Sequence, residues 1–398
     1  MNIYLDFRDI LIKPRHTTLF SRSQVNLYRT FKFKYSPLTL KCIPIMASNM
    51  DTVGTIEVMK VLAPQGLFTV LNKFISFEEY TENASFLNNF PDNYAISVGI
   101  DEKDIDNLKL LAKIINFKVI CIDVANGYMQ KLVDFCQLMR NNFPDKIIMA
   151  GNVVCSNMTS VLIRQGKVDI VKVGIGGGSA CTTRIKTGVG VPQLSAVLDC
   201  KKASRDLRAH IISDGGITCP GDVGKAFGAG ADFVMIGGQF AGHDENPGEI
   251  IEEEGRRYKL FYGMSSTHAM KKNYGGVNNY RTGEGRCIKL KYRGSLNDTI
   301  SDFLGGTIFN CFCILICEIS GVLFCGSGIL GGSGILGNSG VLGGSGGSYA
   351  LNFGLCWLQY SLLQDFPQIV PFFAPLINSY LHWYFIILKT YVFLNIII

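Results

Sequence analysis

Gly174-Ile175-Gly176-Gly177-Gly178-Ser179-Ala180-Cys181-Thr182-Thr183-Arg184 follows an apolar run from Asp169 to Val173. The run has the length and residue types of a buried strand. Whether this unit, a strand and then a polar loop, recurs along the chain decides the fold. It does recur. Pro44 to Met50, Gly66 to Leu71, Tyr94 to Val98, Val119 to Ala125 and Ile147 to Val153 come before it, and Ile211 to Asp214 and Phe233 to Ile236 come after it. Helix-like segments such as Ile56–Leu62, Asp104–Ile115, Met129–Asn141 and Pro220–Phe227 lie between. Near-continuous Val/Ile/Ala strands alternating with helices imply a parallel sheet covered by helices. Eight such units predict an α/β fold of the closed (β/α)8, or TIM, barrel type. Periodicity alone leaves a doubly wound open sheet as the alternative.

The polar residues follow the strands on their C-terminal side. Asn49 and Asp51 end the first, Lys73 the second, Asp123 and Asn126 the fourth, and Asn152 the fifth. The cysteine loop ends the sixth, Asp214-Gly215-Gly216 the seventh and Gly237-Gly238 the eighth. Barrels of this kind build their active sites at that face. A thiol becomes a good nucleophile only as the thiolate, and Arg184 with nearby backbone N–H groups can promote that form. Glycine-rich backbone can also close around a phosphate or a cation. On the cysteine and glycines alone, a buried and inert thiol is an equally good reading.

A long excursion follows the eighth strand. Phe261-Tyr262-Gly263-Met264-Ser265-Ser266 opens a helix from Thr267 to Lys272, and such a helix start suits a phosphate. Gly275-Gly276 and Tyr280-Arg281-Thr282-Gly283-Glu284-Gly285-Arg286 read as a mobile active-site flap. Glu284 is there either a general base or a solvated loop charge.

Composition limits the remaining choices. The 398 residues carry a formal charge of +6 with no basic stripe, which argues against nucleic acid and leaves small anionic ligands open. The 13 cysteines are odd in number, and Met1 to Asp6 lacks a secretory signal, so a reducing cytoplasmic compartment is expected. Cys311, Cys313 and Cys317 match no zinc spacing, and no H-E-x-x-H occurs, so no structural metal is expected.

The strings now assembled resemble the IMP dehydrogenase/GMP reductase family, and its reductase branch in particular. The resemblance runs from Asp6-Phe7-Arg8-Asp9-Ile10-Leu11 to about Gly306. It is carried by Ala47-Ser48-Asn49-Met50-Asp51-Thr52-Val53-Gly54-Thr55, where the dehydrogenase usually has a proline before that methionine. Asp123-Val124-Ala125-Asn126-Gly127-Tyr128, Ala150-Gly151-Asn152-Val153-Val154 and Ser213-Asp214-Gly215-Gly216 are also reductase-like. The dehydrogenase normally carries a large regulatory insert after the second strand, and Leu71 and Tyr94 are too close in the chain to hold one. A dehydrogenase-like oxidoreductase working toward NAD is the alternative.

The resemblance implies reduction of GMP to IMP and ammonia with NADPH. Cys181 would attack C2 of the purine, and Thr183 and Glu284 would move protons. Ser179, Asp214, Gly215, Gly216, Gly237, Gly238, Gly263, Met264, Ser265, Arg281 and Gly285 would bind the nucleotide. Lys73, Asp123, Val124, Ala125, Met264, Tyr280 and Arg281 would meet NADPH, and Ser21 and Arg22 would reach a neighbouring subunit's NADPH in a homotetramer. Backbone oxygens of Gly176, Gly178 and Cys181, with Arg184 close by, would hold a monovalent cation such as K+.

The chain also departs from the family pattern. Gly177 replaces a usual proline, Asn72 a usual histidine and Val191 a usual tyrosine. After Leu304-Gly305-Gly306 the family continues with a basic helical segment that contacts NADPH. This chain continues Thr307-Ile308-Phe309-Asn310-Cys311-Phe312-Cys313, so those contacts do not carry over. Glycines and β-branched residues there predict poor continuation of the last helix. The expected division is therefore a purine-nucleotide reductase domain over 1–306 and an apolar, low-complexity tail over 307–398. From Gly305 on, the only charged side chains are Glu318, Asp365 and Lys389, and Gly326 to Gly343 repeats a Gly/Ser-rich unit. Tyr380 to Ile398 is about long enough to span a bilayer, but Lys389 interrupts it. A translated intron or frameshifted end is favoured over a membrane anchor, with an inactive, aggregating or membrane-associated product as the rival to an enzyme.

Overall fold

A computed structural model of the chain describes residues 3–14, 16–274 and 283–314. The predicted repeat closes on itself. After an antiparallel hairpin, β1 (Arg29–Lys32) and β2 (Thr39–Cys42), eight parallel strands form a barrel. They are β3 (Ile45–Ala47), β4 (Phe68–Leu71), β5 (Tyr94–Val98), β6 (Val119–Asp123), β7 (Ile147–Val153), β8 (Ile170–Val173), β9 (His210–Asp214) and β10 (Phe233–Ile236). β10 pairs with β3, which removes both sheet edges and excludes the open-sheet alternative. A second, three-stranded antiparallel sheet follows: β11 (Ile251–Glu253), β12 (Arg256–Tyr262) and β13 (Cys287–Lys291).

The two faces of each strand explain its near-continuous apolar run. Side chains alternate between a barrel interior and a shell under the helices. Met46, Phe68, Val70, Val119, Cys121, Met149, Ile170 and Met235 fill the interior. The hairpin plugs the N-terminal end with Phe31 and Leu40. Ile120, Ile122, Ile148, Val171 and Val173 point outward instead, against helix residues such as Leu132 and Leu162. With the lower interior packed, Asp123 and Asp214 close β6 and β9 at the C-terminal mouth.

The last helix departs from expectation. It runs unbroken over Leu296–Ile314, through Gly305-Gly306. Leu296, Ile300, Phe303, Thr307 and Cys311 are buried, a stripe with helical spacing that continues past the glycines. The helix packs on the helices Pro220–Gly228 and Ile56–Leu62. A Cβ on Gly306 would stand 2.5 Å from the Cβ of Pro220, so the glycine permits close packing that outweighs its poor propensity. Gly305 faces open space. The two glycines should therefore respond oppositely. Gly305→Ala should stabilise the fold by about 1 kcal/mol through helix propensity. Gly306→Ala should destabilise it by about 1 kcal/mol or more, because overpacking exceeds that gain. Denaturant midpoints that move the same way for both variants would contradict this packing.

Among the described residues no helix is long and apolar enough to cross a membrane. The Gly/Ser-rich repeat and the Tyr380 to Ile398 stretch lie outside the described residues.

Candidate active site

The cysteine loop leaves β8 at the barrel mouth. The Cys181 Sγ lies 3.1 Å from the Thr183 Oγ1, and that hydroxyl donates to the Glu284 Oε2 at 3.1 Å. With the hydroxyl proton directed to the carboxylate, its lone pairs face the thiol. The three groups form a chain along which a proton can pass from sulfur to carboxylate.

The backbone fixes this chain. Thr183 begins a short helix, Thr183–Thr187. The Thr182 N–H donates to the Glu284 carbonyl at 2.8 Å, and the Glu284 N–H donates to the Ser265 carbonyl at 3.0 Å. Gly285 bridges to both Cys181 and Ser266. A Cβ on Gly285 would come within 2.9 Å of the Ser266 N, so the junction needs a glycine. The Arg286 guanidinium donates to the Ser179 carbonyl at 2.9 and 3.2 Å, clamping the loop from the other side. Glu284 is thus joined to the cysteine loop.

Two cavities meet here. One, of about 270 Å³, is lined by Cys181, Thr183, Ser179, Asp214, Gly215, Gly216, Gly237, Gly238, Gly263, Met264, Ser265 and Glu284. The other, of about 520 Å³, is lined by Lys73, Asp123, Val124, Ala125, Met264, Ser265 and Glu284. Asn49, Asp123, Met264, Ser265 and Glu284 belong to both walls. The first cavity is rich in glycine backbone and hydroxyls, which suits a phosphate-bearing ligand. The second combines a lysine with apolar and amide groups and suits a larger, partly apolar one.

A model of the IMP dehydrogenase / GMP reductase domain matches residues 4–314. The chain belongs to the IMP dehydrogenase/GMP reductase family. It is 52% identical over 311 residues to GMP reductase 2 of Bos taurus, covering 78% of this chain and 89% of that protein. It is 49% identical over 314 residues to GMP reductase 1 of Rattus norvegicus, covering 78% and 90%. GMP reductase of Buchnera aphidicola subsp. Acyrthosiphon pisum is 50% identical over 313 residues, covering 78% and 89%.

Not every residue that the family resemblance singles out joins these cavities. Ser21 and Arg22 line neither; Arg22 instead stacks its guanidinium over Phe309 of the last helix at 4.5 Å. Tyr280 and Arg281 lie outside the described residues. Arg184 braces the cysteine loop. It donates to the carbonyls of Ile175 at 3.2 Å and Val191 at 2.6 Å, and it pairs with Asp6 at 3.4 Å. Gly176, at φ +76°, packs against the Arg184 side chain. The Gly178 carbonyl accepts the Cys181 N–H at 3.0 Å and keeps a second lone pair. Among the described residues no group of three or more His, Cys, Asp or Glu side chains could hold a metal ion. Of the other departures, Asn72 donates to the Gly54 carbonyl and accepts from Phe74, and Val191 gives its carbonyl to Arg184 while its side chain packs on the core.

Lys172 belongs to none of the motifs that mark the other site residues. It is 1% exposed and stands between Asp123 and Asp214 at the junction of the cavities. Burial alone would lower its ammonium, but Asp123 above all, with Cys121 and Asp214, holds it above its ordinary range. Burial likewise works to raise the Asp123 carboxyl, and Lys172 outweighs it, leaving the carboxyl below its usual range. A lysine inside Ile170-Val171-Lys172-Val173 was the available signal, because a buried cation must have a partner.

Proposed function

We propose that the chain is an NADPH-dependent GMP reductase that converts GMP to IMP and ammonia. The observation that carries this reading is the Cys181–Thr183–Glu284 chain opening into the smaller cavity. GMP lies in that cavity, with Ser179, Gly215, Gly216, Gly237, Gly238, Gly263, Met264, Ser265 and Gly285 around its phosphate and base, and Asp214 on the ribose hydroxyls. The family resemblance assigns Arg281 to the same ligand.

The Cys181 thiol passes its proton through Thr183 to Glu284, and the thiolate adds to C2 of the purine. Glu284 returns a proton to the C2 amine, which leaves as ammonia, and sulfur remains bound to C2 as a thioimidate. NADPH, when bound, supplies hydride to that carbon. The C–S bond then breaks with its electron pair on sulfur, IMP departs, and the Cys181 thiolate regains a proton from solvent. Water exclusion matters, because water attack on the same intermediate would give a different product. The Glu284–Ser265 and Arg286–Ser179 contacts hold the loops together over the reacting carbon.

The larger cavity fits a nicotinamide cofactor. Lys73 offers a cation for an anionic ligand, while Val124, Ala125 and Met264 offer apolar contact to a ring. The family resemblance assigns Tyr280 to the cofactor as well. The family resemblance assigns Ser21 and Arg22 to the cofactor of a neighbouring copy in a homotetramer. The cysteine loop presents neutral carbonyls, those of Gly176, Gly178 and Cys181, without a carboxylate. That donor set suits a monovalent cation such as K+ better than a divalent one. Every described cysteine is free, which supports a cytoplasmic location.

The purified full chain tests the reading. With GMP, it should oxidise NADPH and form IMP and ammonia in equal amounts. A chain that leaves GMP untouched but reduces NAD with IMP would be a dehydrogenase, and the proposal would be wrong.

A further inference from the structure

Lys172 holds its two carboxylates unequally. Its Nζ donates to the Asp123 Oδ1 and to the Asn49 Oδ1 at 3.2 Å, while the Asp214 Oδ2 lies 3.6 Å away. Barrel register explains the preference. Asp123 on β6 is level with Gly151 on β7, and Gly151 is level with Lys172 on β8. A Cβ on Gly151 would come within 2.7 Å of the Lys172 Cβ, so the glycine leaves the gap across which the two side chains meet. On β9 the residue level with Lys172 is Ile212, and Asp214 stands two positions beyond it. Asp214 is oriented by another group, the Asn152 amide, which donates to its Oδ2 at 2.7 Å.

Resting on the reading that Asp214 holds the nucleotide's ribose, we propose that Lys172 is a positioning residue, parked on Asp123 so that its pull on Asp214, 3.6 Å away, stays weak enough for substrate to compete. Asp123 lines the cofactor cavity as well as the nucleotide cavity, whereas Asp214 lines the nucleotide cavity alone. A carboxylate on the cofactor side thereby sets affinity on the nucleotide side. A buried ammonium cannot stay unpaired. When Asp123 loses its charge, Asp214 is the carboxylate left beside Lys172. A charge-assisted bond from lysine then competes with the neutral ribose hydroxyls for Asp214.

The test is calorimetric titration of the full chain with GMP, without NADPH, after circular dichroism has checked each variant's fold. D123N should weaken GMP binding about ten-fold, within the range of coupling between neighbouring groups. Adding K172M to D123N should bring affinity back to within about three-fold of the parent, because the competitor for Asp214 is gone. A merely structural defect would not be repaired by removing a second buried group. D123E keeps the charge and should bind GMP within about three-fold of the parent, so the test stands even if the double variant fails to fold. Parent-like binding by D123N, further weakening by K172M, or a D123E loss equal to that of D123N would each overturn the proposal. D214N separates the two levels. If it binds GMP like the parent, the ribose assignment fails; if it binds weakly and D123N does not, only the coupling fails.

Discussion

Cys181→Ala should abolish GMP-dependent NADPH oxidation while leaving GMP binding within a few-fold of the parent. The side chain contributes one sulfur atom to a cavity whose lining also includes Ser179, Asp214, several glycines and the Gly263–Ser265 turn. Binding should survive its loss, because the phosphate and ribose partners remain. Chemistry should not. Without the thiolate, C2 has no covalent partner, and the amine has no intermediate from which to leave. Loss of a nucleophile that works as a unit with its proton relay costs at least about 10⁴-fold in turnover. Calorimetry with GMP and an absorbance assay for NADPH check the two halves. Substantial oxidation by this variant in the presence of GMP would remove Cys181 from the reaction. Loss of GMP binding together with turnover would instead point to a collapsed loop.

The barrel was legible because its strands are buried on both faces. Tyr94–Val98 and Phe233–Ile236 are buried at every position, and only Ser97 interrupts their apolar residues, the pattern of a strand covered on both faces. The small sheets were not legible. Thr39–Cys42 alternates exposed and buried residues over four positions, and Cys287–Lys291 is never fully buried. Runs that short and mixed do not stand out from loop sequence. The last helix was misjudged for a different reason. Gly305 and Gly306 do carry poor helix propensity, but the contact with Pro220 that favours glycine joins segments far apart in the chain.

The site divides along the same line. Strand ends marked Asp123, Asp214 and the cysteine loop, since polar residues there interrupt apolar runs. Glu284 lies in a loop with no periodicity, and from its own neighbours it could not be told from a solvated charge. Only the family strings pointed to it, and only the fold brings its carboxylate to Thr183. Lys172 shows the opposite failure. Its strand was recognised, but which face a residue takes depends on register across the closed barrel. That register sets Lys172 opposite Gly151 and beside Asp123.

Glu284→Gln should slow ammonia release by about 10²–10⁴-fold, the contribution expected of a general acid/base group, with little change in GMP affinity. Glutamine has nearly the same shape, and its amide oxygen can still accept from the Thr183 hydroxyl. The backbone bonds to Thr182 and Ser265 do not depend on the side chain, so the junction with the cysteine loop should persist. What glutamine lacks is a site that takes up a proton and gives it back. The thiol's proton then has no destination at the end of the Thr183 relay, and the C2 amine has no acid from which to leave as ammonia. Both steps before hydride transfer should slow. Rapid-quench measurement of ammonia, with GMP and NADPH in excess, isolates that stage, and calorimetry reports binding separately. Ammonia release within a few-fold of the parent would mean that Glu284 only tethers the flap, and that another group carries the proton.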